Sequence, residues 1–252
     1  MSEWWTYRPE DFLLFSPRAY WRLFELHNAA VWPLHFLTLP AGAAIFILIL
    51  RRPPHHGRWI SILLALICIL VGWLFLWNRY AAINWAMEYI APLFALEALT
   101  LVIVGTGFDG LSFDRRGFRG RTGLLLAAIG LVAYPFFSLL FGRPWTEVEV
   151  FGVAPDPSMV ALLGFLLAAR GRLLFLLLPI PLLWLLLSAA TLATMREPQA
   201  WLPLLSAALA LAAMFLHATV GRSAEAAGAR GLPECPGQDQ RRLHPLPRSL
   251  SL

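Results

Sequence analysis

The sequence predicts an all-α, polytopic transmembrane helix bundle of about seven spans, preceded by an interfacial amphipathic helix. Three observations predict it. Of 252 residues, 59% are hydrophobic and only 14% charged, where a soluble domain carries about a quarter charged residues. The apolar residues come in long runs, such as Trp59–Trp77 and Leu173–Thr194, close to the roughly 20 residues that cross a bilayer. Arginines sit between the runs and favour alternate loops, as the positive-inside rule requires.

The elements follow in order. In residues 1–30, Ser16-Pro17 reads as a helix N-cap and first helical position. After it Arg18, Arg22 and Glu25 recur at helical spacing, with Tyr20, Trp21, Leu23, Phe24 and Leu26 between them. That is the amphipathic pattern of a helix lying in an interface. The bundle occupies 31–220, with spans expected at 31–50, 59–77, 86–106, 123–142, 152–169, 173–194 and 200–220. Residues 221–252 are rich in Pro, Gly, Ser and charge and read as a disordered cytoplasmic tail.

The segment 152–169 needs argument, because its apolar helix is too short for a simple span. Arginine placement decides it. If it crosses and the N-terminus is outside, the inner side holds Arg51, Arg52 and Arg58, the group Arg115–Arg121, Arg170, Arg172 and the tail arginines. Fourteen of the twenty basic residues then lie inside, and a re-entrant loop would reverse the bias. Trp32, Trp77, Trp85, Trp145 and Trp201 fall near the outer boundaries, as an aromatic belt should. "FGVAPDP" is then an irregular lead into a short helix, with Asp156 as N-cap, Pro157 as first residue and Ser158 following at the outer mouth. Non-helical backbone at such depth is tolerated only inside protein or along a cavity.

Two stretches, "DFLLFSPRAYWRLFELHNAAVWP" at 11–33 and "FGVAPDPSMVALLG" at 151–164, resemble an uncharacterised family of bacterial multi-pass membrane proteins, domain of unknown function 6064. Some members are loosely labelled transporter permeases. The resemblance covers most of the chain to about residue 220 and implies a membrane location, with no reaction to carry over.

Every basic residue is arginine, a usage associated with GC-rich bacterial genomes, and the net charge of +5 suits loops facing anionic headgroups. The expected location is a bacterial cytoplasmic (inner) membrane, with the C-terminus cytoplasmic. Cys68 and Cys235 give no disulfide framework, and His55-His56 lacks a third metal ligand. "GTGFDG" at 105–110 matches a dinucleotide fingerprint in letters only, because no strand precedes it. No hydrolase or phosphate-loop motif occurs. No cofactor, metal or nucleic-acid partner is therefore expected, and enzymatic activity is disfavoured.

The third span carries the candidate chemistry. Glu97 sits mid-span among apolar neighbours, and a carboxylate at such depth must protonate, pair or meet water. Asn84 and Glu88 share a face near the outer end, and Pro92 between Glu88 and Glu97 can bend the helix. Pro40, Pro135, Pro179, Pro181 and Pro203 lie in other spans. The leading expectation is a permease-like carrier of a small solute or ion, proton-coupled through Glu97. The alternatives are a non-catalytic subunit that steadies a membrane partner protein or a second copy, and a lipid-acting enzyme. A carrier should join Glu97 to Glu88 or Asp156 by a polar path.

Overall fold

A computed structural model describes residues 15–107, 111–171 and 173–230, with side chains as far as Leu216 at the C-terminal end. Asp109, Arg172, Cys235 and residues 231–252 lie outside the described residues, as does the side chain of His217. The chain is essentially all-α. Helix α1 (Pro17–Val31) starts as its sequence predicts: Ser16 is the N-cap, its hydroxyl accepting the Ala19 N–H at 3.2 Å, and Pro17 opens the helix. The apolar face of α1 is covered by protein: Phe24 packs on Phe75 and Tyr20 on Tyr80, at ring-centroid distances of 4.7 and 5.6 Å.

The remaining helices are α2 (His35–Arg51), α3 (His56–Leu70), α4 (Met87–Val102), α5 (Gly117–Ala128), α6 (Tyr134–Leu140), α7 (Pro155–Ala168), α8 (Pro179–Thr194) and α9 (Trp201–Arg230). Wider π-helical turns extend α3 over Val71–Trp77 and α4 over Ile103–Gly107, and join α5 to α6 over Ile129–Ala133. The last precedes Pro135, whose ring can neither donate to the ladder nor fit a regular helix interior.

Among the described residues five stretches are long and apolar enough to cross a membrane, His56–Ala82, Met87–Gly107, Gly117–Leu140, Leu174–Thr194 and Pro198–Leu216, and the bent pair α1 and α2 makes a sixth if it counts as one span. The first expected span differs. Residues 31–50 do not form one straight helix continuous with their lead-in, because α1 and α2 meet at 91°. Pro33 supplies no N–H at that break. From Ala218 onward the chain forms a unit of its own, and its backbone is helical as far as Arg230. The expected tail thus begins in a helix, because "SAEAAGAR" is alanine-rich and favours one.

All 14 residues of α7 are buried, so protein surrounds the helix on every side. Small residues let α5 approach it. A Cβ built on Gly123 would lie 2.6 Å from the Gly164 carbonyl oxygen, and one on Gly130 would lie 2.6 Å from the Pro157 carbonyl oxygen. Backbone therefore meets backbone along Gly123, Ala127 and Gly130 against Pro157, Ala161 and Gly164, the small-residue packing of membrane helices.

The short helix runs about 21 Å at 1.5 Å per residue. At the end it leaves, β2 (Ala169–Arg170) pairs antiparallel with β1 (Ser112–Phe113). There Arg52 donates to Asp114 at 2.5 Å, and Arg170 lies 3.0 Å from the same carboxylate. The Arg116 N–H and the Arg52 guanidinium hold Asp114 below the usual carboxylate range. At the end it enters, the strap 141–153 arches between α6 and α7. Arg143 in the strap pairs with Glu197, lies 3.7 Å from Glu147, and stacks over Trp21 at 3.2 Å from the ring centroid.

Candidate functional site: two buried carboxylates where α7 begins

Helix α7 starts at Pro155, and its N-cap is Ala154, which makes no side-chain cap hydrogen bond. The cap role expected of Asp156 is thus corrected: the residue lies inside the first turn, and its carboxylate turns away from the helix end. The two prolines cost no hydrogen bond there, since first-turn N–H groups have no intrahelical acceptor. Ser158 secures the turn before the helix, accepting the Gly152 N–H at 2.8 Å and donating to the Ala154 carbonyl at 2.6 Å. Gly152 has φ +76, and a Cβ there would meet Thr38 at 2.5 Å, so both conformation and space require glycine.

Asp156 is fully buried and surrounded by neutral donors. Its Oδ1 accepts the Trp184 indole N–H at 2.7 Å; its Oδ2 accepts the hydroxyls of Ser188 at 2.5 Å and Tyr134 at 3.2 Å. Trp184 and Ser188 stand four apart on α8 and so share a face. Tyr134 follows the wide turn Ile129–Ala133 at the start of α6. Phe94 of α4 packs edge-on against Trp184 with centroids 5.5 Å apart.

Glu149, in the strap, is the second carboxylate. Val148 and Val150 pack with Val31 and Leu139. Val148 is extended, so Glu149 between them points the opposite way, toward the interior. It is 1% exposed, and neither carboxylate oxygen has a hydrogen-bond partner. Burial pushes its carboxyl well above the usual range, with the charge of Asp156 adding and the Arg143 cation opposing. Tyr20 lies within electrostatic reach of both carboxylates. Gln199, Ser138 and His27 are also buried, each with a polar atom left without a partner.

The other expected residues do not assemble. Glu97 is fully buried with both oxygens unpartnered. Glu88 is exposed, and the Asn84 side chain accepts the Ala86 N–H at 3.2 Å. No hydrogen bond links Glu97 to the Asp156 centre among the described residues. No cluster of three or more metal-binding side chains occurs among the described residues.

Sequence reasoning missed Glu149, Tyr134, Trp184 and Ser188. A faint signal existed for Glu149, since "EVEV" alternates as an extended strap with one charged face. Trp184 and Ser188 are spaced four apart in an otherwise leucine-rich helix, but nothing local names Asp156 as their acceptor.

No curated protein and no solved structure gives a match to this chain. The match that exists covers residues 17–225, far more than half of the sequence: the chain belongs to the family of unknown function DUF6064.

Proposed function

We propose that this protein is an integral membrane carrier of a small solute or ion that takes up a proton or small cation between Asp156 and Glu149. The observation that carries this reading is the buried, unpartnered Glu149 carboxylate, within electrostatic reach of a second buried carboxylate, Asp156. Two bare negative charges in such a site cost several kcal/mol each (order of magnitude). Arg143, the cation that opposes this charge, pairs with Glu197, lies near Glu147 and stacks on the Trp21 face. A proton or cation held between the carboxylates relieves that cost, and its release changes the local charge by one. Ionisable groups buried in the interior of a membrane helix bundle mark ion and proton pathways. In this reading Glu97 is a protonated structural group, with Asn84 and Glu88 outside the pathway.

Orientation belongs to the same proposal. The end holding Arg52, Arg115, Arg116 and Arg170 faces the cytoplasm of a bacterial inner membrane, and the strap faces outward. Single cysteines replacing Arg51 and Thr146, in a background lacking Cys235, should label from the inside and the outside respectively. The reverse pattern would overturn the orientation.

The carrier reading is tested in proteoliposomes with a pH-sensitive dye inside and an imposed diffusion potential, in proton and in sodium media. The wild type should pass cation, and Asp156→Asn and Glu149→Gln should abolish the flux while remaining folded by circular dichroism. Flux unchanged in both variants would remove the carboxylate pair. Absence of any wild-type flux would remove the carrier reading.

A further inference from the structure

We propose that the cleft on the outer side of the strap binds a small primary or secondary ammonium ion with an apolar body. The cleft lies between the end of α1, the start of α2 and residues 145–150, and encloses about 550 Å³. That is the size of a small-molecule site. It is independent of the carboxylate pair, because Val148 and Val150 line it while Glu149 between them turns inward.

Its walls are aromatic. Trp32, Trp145 and Phe36 line it while remaining 62%, 68% and 65% exposed. Trp32 and Phe36 meet edge to face at 5.0 Å, which sets the two rings at an angle to one another. Ring faces attract cations, most strongly where water is displaced. Glu25 at the rim already pairs with Arg22 at 2.5 Å, so the rings and Asn28 carry the recognition.

One of its residues offers an unused acceptor. The Asn28 amide nitrogen donates to the carbonyls of Thr146 and Val148, both at 2.9 Å. Both amide hydrogens are thereby used on acceptors, so the amide cannot be flipped. The Asn28 Oδ1 is then an acceptor, buried and without a partner, on a residue that lines the cleft. His35, also in the lining, has a buried unpartnered Nδ1. An N–H-bearing cation satisfies Asn28 and leaves its apolar part against the rings. A quaternary ammonium meets the rings but gives Asn28 nothing, and a carboxylate brings it no donor.

Calorimetry on the purified full-length protein, in detergent free of amine lipids, tests the assignment with phenethylamine at neutral pH. Benzyltrimethylammonium, phenethyl alcohol and phenylacetate are the comparison ligands. Phenethylamine should bind saturably, at least about tenfold more tightly than the quaternary cation and the alcohol, with phenylacetate not binding. Trp145→Ala and Phe36→Ala replace exposed rings, so the fold should survive, and each should weaken phenethylamine about tenfold. Equal binding of amine and alcohol, or unchanged affinity in both variants, would overturn the assignment. So would loss of amine binding in phosphatidylethanolamine vesicles with retention in phosphatidylcholine vesicles, which would identify a lipid headgroup as the occupant.

Discussion

Replacing Gly164 by alanine puts a methyl carbon 2.4 Å from the Ala127 amide nitrogen and 2.6 Å from the Gly123 carbonyl oxygen. Ordinary Cβ contacts begin near 3.4 Å, so the two helices must part by about 1 Å. Neither opposing atom belongs to a flexible side chain. Nor can α7 retreat, because all its residues are buried against other elements. Overpacking of this kind costs about 1–3 kcal/mol, and backbone opposition on both sides argues for the upper end. About 3 kcal/mol corresponds to roughly a 150-fold shift in the folding equilibrium. Gly107→Ala is the control: nothing lies within 4 Å of its Cβ position, and the change should stay within about 1 kcal/mol. Unfolding by SDS titration in mixed micelles, followed by far-UV circular dichroism, reads both. A Gly164→Ala protein as stable as the wild type would refute backbone contact between α5 and α7. Gly130→Ala extends the test to the site, since its methyl meets the Pro157 carbonyl oxygen at 2.6 Å, one residue from Asp156.

Glu149 makes stability depend on pH. Its folded pKa is raised above the ordinary 4.5, so between the unfolded and folded values the native state binds the extra proton. Stability is then full below the unfolded value and falls as pH rises toward the folded one. Glu149→Gln should flatten that decline in thermal unfolding scans across pH, and an unaltered slope would count against a titrating Glu149. Asp156→Ala strands three buried donors and should cost about 3–5 kcal/mol. Asp156→Asn should cost about 1 kcal/mol, because its oxygen can accept from Trp184 while its NH₂ donates to the rotatable Ser188 and Tyr134 hydroxyls. Equal losses in the two variants would contradict the donor arrangement. Arg143→Met should destabilise by about 2 kcal/mol, since it leaves Glu197 and Glu147 without their cation while keeping an apolar stem over Trp21. The same unfolding assay checks it.

Composition and periodicity determined the helical membrane class, the boundaries of most apolar helices and the Ser16 cap of α1, because each is a local or summed property of neighbouring residues. The buried place of Glu97 was also legible, since a carboxylate amid leucine and alanine in a span has nowhere exposed to go. Only the tertiary structure decided that α7 is enclosed on every side. Its apolar residues surround the helix without a preferred face, a pattern shared by a lipid-facing span and a core helix. The 91° break between α1 and α2 is likewise a feature of the folded chain, whereas the sequence alone allowed a straighter course. Asp156 shows the division most clearly. Its position between two prolines suggested a cap, but its partners come from positions 22, 28 and 32 residues away. No local pattern encodes contacts at that separation; they exist because glycine contacts bring α5 against α7, carrying α6 beside it, while α8 closes the other side. The physical reason is that a buried carboxylate finds whichever donors packing provides, and packing is settled by the whole bundle.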